Sequence, residues 1–230
     1  MNNGYVQEID LSFQRLEEIP DWVFVQKPDV ERLIMGDTFN EESDRSQEVI
    51  DEEWRYGNML KTLSPKIATL KRLKHLDLRG NWLETLSFHS MQNLEYLNLE
   101  RNFLREIELC NLPRLEFLNC YRNDLENVRL ESLPSLKTLH LSLNALRHLT
   151  LNNLPSLETV NVSINKLQSV DLSGLPNLRH LDLSINRLEH LHLQHFPRLY
   201  TVNVWRNRLQ SLVLDNIPSL HNLFQHENLL

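Results

Sequence analysis

Glycine is scarce. Five glycines in 230 residues cannot furnish the glycine-rich turns of a doubly wound nucleotide-binding enzyme. Cysteine is scarcer: Cys110 and Cys120 are too few for a disulfide framework, which fits a reducing compartment. Aromatic residues reach only 7%. No apolar run approaches the ~18 residues that suggest a membrane span. The opening residues, MNNGYVQE, lack the basic region and apolar core of a secretory signal. The formal net charge of −7 offers nucleic acid and anionic membranes no general attraction.

Catalytic signatures are missing as well. The sequence holds no phosphate loop of the GxxxxGK type, no GxGxxG, no GxSxG and no HExxH. No catalytic residue and no cofactor is therefore expected. Of the ten histidines, His190, His192 and His195 lie closest together. A metal site needs three or four converging ligands, and no cysteine or acidic cluster completes one here. The expectation is surface histidines and no metal.

Leucine and asparagine are what the chain has in excess, 48 and 24 residues respectively. Asn81, Asn102, Asn123, Asn144, Asn165, Asn186, Asn207 and Asn228 recur at intervals of 21. A leucine stands eight residues before each, from Leu73 to Leu220, and another two residues after, from Leu83 to Leu230. Further apolar positions follow at five, seven and ten, usually with proline at eleven, as in Val170, Leu172, Leu175 and Pro176. The unit reads LxxLxLxxNxLxxLxLxxLPx.

This unit resembles the leucine-rich repeat family, whose signature is LxxLxLxxNxL. The match covers roughly residues 58 to 230, with weaker repeats before. The 21-residue period is similar to a short-repeat class described mainly in bacteria. The resemblance implies a leucine-rich repeat solenoid of the right-handed β/α-superhelix type, with one strand per turn on a concave parallel sheet. The residues agree with it. Alternate side chains around LxL face inward on a strand, and one strand cannot bury its apolar side until turns stack. After each Asn the apolar positions again fall two apart, which is extended chain. The convex side is expected to be short extended segments and turns with little helix. The Asn column reads as buried amides satisfying backbone groups where the chain leaves the sheet.

Two regions are expected. Residues 1–57 hold degenerate N-terminal repeats that act as a cap, and 58–230 hold the regular ones. In the first, Gln14 takes the Asn place and a strand runs through Leu33 and Met35; at the start of the second, where Asn58 and Asn81 are 23 residues apart, Ile67, Leu70, Leu73 and Leu76 suggest one or two helical or 3₁₀ turns. The insertion 37–57 carries eight acids against Arg45 and Arg55, or −6 of the chain's −7. It is a solvated loop or, with Trp54 and Tyr56, an acidic flap for a basic partner. At the other end Leu220, Leu223 and Leu230 lack a polar cap, which leaves two readings, a truncated chain or an edge that pairs with another copy.

Concave-facing positions lie six, four and two before each Asn. They place Tyr96, Phe117 and Tyr121 on neighbouring turns, and Trp205, Phe224 and His226 towards the C-terminal end. Thr138, Ser142, Thr159, Asn161, Ser163 and Ser184 lie between. Arg101, Arg122 and Arg206 immediately precede an Asn. Exposed aromatics with arginine are usual anchors of protein interfaces, although aromatics on a sheet also stack on cross-strand neighbours. The candidate partner-binding residues are thus Tyr96, Phe117, Tyr121, Trp205, Arg101, Arg122 and Arg206. Cys120 replaces an inward leucine, and Cys110 sits on the convex side, too distant for a disulfide. The function expected is a non-enzymatic scaffold binding a protein or peptide, with no nucleic acid or membrane partner. The alternatives are a self-associating structural protein and the targeting domain of a lost or separate enzyme. The location expected is the cytoplasm, or export by a bacterium without a cleaved signal.

Overall fold

The computed structural model describes residues 7–36, 57–89 and 91–230. The acidic insertion expected at 37–57 therefore lies, apart from Gly57, outside the described residues. The rest is a solenoid with two walls. Its concave wall is one parallel sheet of ten strands: β1 (Glu8–Asp10), β2 (Arg32–Ile34), β3 (His75–Asp77), β5 (Tyr96–Asn98), β7 (Phe117–Asn119), β9 (Thr138–His140), β11 (Thr159–Asn161), β13 (His180–Asp182), β15 (Thr201–Asn203) and β17 (Asn222–Phe224). The convex wall holds β4 (Thr85–His89), β6 (Glu106–Cys110), β8 (Asn127–Glu131), β10 (His148–Asn152), β12 (Ser169–Ser173), β14 (His190–Gln194) and β16 (Ser211–Asp215).

Each regular turn thus contributes one strand to either wall, as the two separated LxL patterns require. The inward leucines of both strands meet in one core that runs the length of the molecule, with Leu97, Leu99, Leu118, Leu139, Leu141 and Leu178 fully buried. Burying such a side chain contributes about 1.5–3 kcal/mol, and only a neighbouring turn can cover it. Among the described residues helix is confined to two short pieces. One is the 3₁₀ turn Pro65–Thr69, in the region where spacing by three suggested it. The other, α1 (Asp21–Gln26), was not anticipated. It is a single apolar-rich turn that buries Val23 and packs against the 3₁₀ turn.

The Asn column ties the turns together. In each turn the Asn Nδ2 donates to the carbonyl of the residue three before it and to the matching carbonyl of the preceding turn. Asn144 reaches Leu141 O at 3.0 Å and Cys120 O at 2.9 Å. Its Oδ1 accepts the amide of Leu125, again from the preceding turn, at 2.9 Å. Asn102, Asn123, Asn165, Asn186, Asn207 and Asn228 repeat the pattern. The ladder begins at Asn58, which donates to Leu11 O and Met35 O and accepts from Leu16 N–H. Asn58 stands 23 residues after its own-turn acceptor Met35, where Asn102 stands 3 after Leu99. Met35 and Asn58 thus belong to one repeat that is longer than the regular unit.

From Asn81 to Asn228 the residue before each ladder Asn has a left-handed backbone, and the position is not reserved for glycine: φ is 63° at Gly80 and 53–56° at Arg101, Arg122, Leu143, Ile164, Ile185, Arg206 and Glu227. Such a conformation costs an L-residue roughly 1–2 kcal/mol, and more for β-branched side chains such as Ile164 and Ile185. The corner is held by bonds to the next turn: Ile164 N–H donates to Ser184 O at 3.0 Å and Ile185 N–H to Trp205 O at 2.8 Å.

The two walls differ in continuity. The concave sheet is unbroken, whereas the convex strands pair only as β4-β6-β8, β10-β12 and β14-β16. A curved stack has a longer outer arc than inner arc. The outer strands must spread, and here the spreading collects at two seams, β8/β10 and β12/β14. Val128 and Leu130 before the first seam, and Val170 and Leu172 before the second, are half-buried. Their counterparts Leu149, Leu151, Leu191 and Leu193 are buried.

If the ladder supports the stack, Asn144→Ala strands several backbone groups at once and lowers stability by about 2–4 kcal/mol. Asn127→Ala, at an exposed convex position, changes stability by no more than about 0.5 kcal/mol. Urea unfolding of both variants checks this. Equal midpoints would remove the ladder from its supporting role.

Candidate functional site

On the concave sheet the three outward rows have different duties. The row four before the Asn is used internally. The side-chain oxygens of Asp77, Asn98, Asn119, Asn161, Asp182 and Asn203 each accept the amide two residues further on, from Arg79, Glu100, Tyr121, Ser163, Ser184 and Trp205 respectively, at 2.9–3.1 Å. These short side chains finish the strand by bending the chain back on itself. Asn161, anticipated as part of a small polar face, is therefore a strand terminator. Ser142, Ser163 and Ser184 are buried rather than presented.

The row six before the Asn carries a stack of rings. Tyr96 lies parallel to His75 at 4.0 Å between centroids and to Phe117 at 4.6 Å. Phe117 also meets His140, which belongs to the row four before the Asn, in a tilted contact at 5.8 Å. Direct parallel pairing of β3 with β5 and of β5 with β7 places these rings on consecutive turns, His75, Tyr96 and Phe117 being in register. Tyr96 and Phe117 thus do stack on cross-strand neighbours, and both stay half-buried with an outer rim on the concave face. Burial is the largest cause of the changed ionisation at the start of this stack. With the charges of Arg32 and Arg79 it holds His75 down to about 4, and it raises the Tyr96 hydroxyl above its ordinary value.

Two before the Asn stand Tyr121 and Trp205, both half-buried. Trp205 is braced by its own surroundings. Its Nε1 donates to Glu227 Oε1 at 3.2 Å, and the Arg206 guanidinium lies 5.1 Å from the ring centroid. Glu227 also accepts from Arg206 Nε at 2.8 Å. Arg101 is likewise accompanied, its Nε lying 3.4 Å from Glu100. Arg122 sits at the matching corner of the next turn, its amide bonded to Ser142 O at 3.0 Å. The three candidate arginines therefore belong to two places. Arg101 and Arg122 occupy adjacent turns near Tyr121, and Arg206 lies four turns away beside Trp205.

Two ring residues escaped the sequence reading because they fall seven before the Asn, outside the three rows considered. Tyr200, 43% exposed, stacks on His221 at 5.2 Å and meets the edge of His180 at 6.3 Å. A period-21 alignment of that column would have shown it as the place where aromatics replace charges. On the convex wall, His190 contacts Ser211 and His192 contacts Asp215, each at 2.8 Å. Among the described residues no group of three or more His, Cys, Asp or Glu is arranged to hold a metal ion. Both cysteines are free thiols, and burial pushes the Cys120 thiol far up, away from reactivity. No helix of the described residues is long and apolar enough to cross a membrane.

Comparison with known proteins agrees with this architecture. The Leucine Rich Repeat family model matches residues 72–94 and 177–199. No curated protein matches the sequence. Among solved structures, a leucine-rich repeat protein of Leptospira interrogans aligns with 99% of this chain and 74% of its own, at 23% identity and a TM-score of 0.52. YopM, a leucine-rich effector protein of Yersinia pestis, is 26% identical over 96% of this chain, with a TM-score of 0.61. A chain of the Toll–Spätzle complex of Drosophila gives a TM-score of 0.68 over 96% of this chain at 19% identity. This chain spans 61% of the YopM chain and 33% of the Drosophila one.

The ring stack makes a pH prediction. His75 is depressed to about 4 in the folded protein and titrates near 6.5 when unfolded. Between those values the unfolded chain takes up a proton that the folded chain refuses, so stability falls as pH drops below 6.5. His75→Phe, which keeps a ring against Tyr96, makes the urea midpoint less sensitive to pH between 7 and 5. An unchanged pH dependence in the variant would show that His75 does not titrate in this way.

Proposed function

We propose that this chain, a leucine-rich repeat protein, is a non-catalytic interaction scaffold that holds a protein or peptide on its concave face. A repeat solenoid serves this role because its stacked turns supply a rigid, extended surface while the outward side chains vary freely.

One observation carries the reading. On a chain with few aromatics, rings gather on the outward rows of a single sheet and remain half-exposed there: His75, Tyr96, Phe117, His140 and Tyr121 towards one end, and Trp205 towards the other. The bonds that fix Trp205 to Glu227 and Arg206 lower the ordering cost of using it as an anchor. Rigid aromatic anchors of this kind dominate binding energy where interfaces have been dissected.

The test is affinity capture by the intact chain beside a Tyr121→Ala, Trp205→Ala variant, followed by measured affinities for whatever protein is retained. Each anchor contributes on the order of 2 kcal/mol, so the double variant loses at least tenfold in affinity. A partner bound equally by both chains would overturn the concave-face assignment. Recovery of the bait's own chain alone would instead favour association through the edge of β17, where Phe224, Leu229 and Leu230 are 47%, 67% and 58% exposed.

A further inference from the structure

The rim where each turn enters the concave sheet carries two columns of side chains, nine and seven residues before the ladder Asn. Through most of the molecule these columns balance their charges. Glu31 accepts from both Arg72 and Lys74, which hold its carboxyl below the usual carboxylate range. Glu116 pairs with Lys137 at 2.7 Å. Arg114, bonded to Asn93 Oδ1 at 2.9 Å, stands between the positions of Glu95 and Glu116.

Four turns later the same arrangement recurs with the opposite charge. Arg198 donates to Asn177 Oδ1 at 2.7 Å, just as Arg114 donates to Asn93. The flanking positions, however, now hold Arg179 and Tyr200 instead of two glutamates, and His221 follows. Arg179 approaches a carboxylate, Glu158, only at 3.8 Å. Arg179, His180, Arg198, Tyr200 and Ser219 line one shallow depression, and none of the residues lining it is acidic. Arg179, His180, Arg198 and Tyr200 are all exposed. The stacking of Tyr200 on His221 fixes the phenol beside the two guanidinium groups.

We propose that this depression is a binding site for an oxyanion group, a phosphate or a carboxylate. The guanidinium groups of Arg179 and Arg198 supply charge and forked N–H donors that match such a group. The Tyr200 hydroxyl and the His180 imidazole supply further donors. The site lies on the rim, apart from Tyr121 and Trp205, and does not depend on the concave-face reading. Its anion has two sources, a free small anion or an acidic segment of a peptide, and both present the same chemistry.

The experiment titrates inorganic phosphate, and separately a hexaglutamate peptide, into the isotope-labelled full chain at low ionic strength. Backbone and arginine side-chain resonances are followed by NMR. Saturable shifts centred on Arg179, Arg198, Tyr200 and His221 are expected with at least one probe. Arg179→Gln, Arg198→Gln weakens that response at least tenfold, and Arg114→Gln leaves it unchanged. Tighter binding of phosphate assigns the site to a small anion, and tighter binding of the peptide assigns it to an acidic segment. Shifts that grow linearly without saturating for both probes, or that persist undiminished in the double variant, overturn the proposal.

Discussion

One side-chain amide repeated every 21 residues sets the terms for everything else in this molecule. Each ladder Asn joins its own turn to the one before through both ends of its amide group, donating to two carbonyls and accepting one amide. Those backbone groups are buried at the point where the chain leaves the sheet, so leaving them unpaired would cost about 1–3 kcal/mol apiece. Leucine burial drives the stacking of turns, but it is non-directional. The amide fixes where successive turns sit relative to each other, and the corner before it is held left-handed even where isoleucine occupies it.

Registration on the inner side has consequences for both surfaces. Inside, it keeps ten strands in one sheet and lines up residues 21 apart, which is why rings at equivalent positions meet face to face as His75, Tyr96 and Phe117 do. The Asp and Asn side chains of the row four before the Asn finish the strands, a duty the other two rows do not share. Outside, the longer arc cannot keep every strand pair in reach. The convex wall yields at β8/β10 and β12/β14, and the apolar residues beside those seams lose part of their cover.

Most of this architecture was legible because a repeat states its rule many times over. The period gave the turns, the two LxL pairs gave a strand on each wall, and the rarity of helix followed from the short unit. Residues that depend on a single turn were less legible. The helix α1 occurs once, outside the regular repeats, and no second copy reinforces its signal. The duty of Asn161 could not be told from its facing direction, since an Asn that bonds its own backbone and one that greets a partner have the same spacing. Tyr200 was passed over because the rim column was not read, and the seams arise from accumulated curvature, which no individual repeat encodes. The candidate anchors Tyr96, Phe117, Tyr121 and Trp205 were found from their row alone. The stacking of Tyr96 on Phe117, and the acidic and basic companions of Trp205, became visible only in the structure.

The account rests on an inner arc held by asparagine and an outer arc that gives at two seams. Amide hydrogen exchange measured residue by residue tests it most directly. Asn111, Asn153 and His195 occupy equivalent convex corners, and their amides donate to the next turn at 3.1–3.2 Å. Ser132 and Gly174 occupy the same corner but face the seams. The account predicts slow exchange at Asn111, Asn153 and His195, fast exchange at Ser132 and Gly174, and the strongest protection at the ladder amides of Leu104, Leu125, Leu146 and Leu167. Equal protection at all five corners, or ladder amides that exchange as fast as the seams, would contradict it.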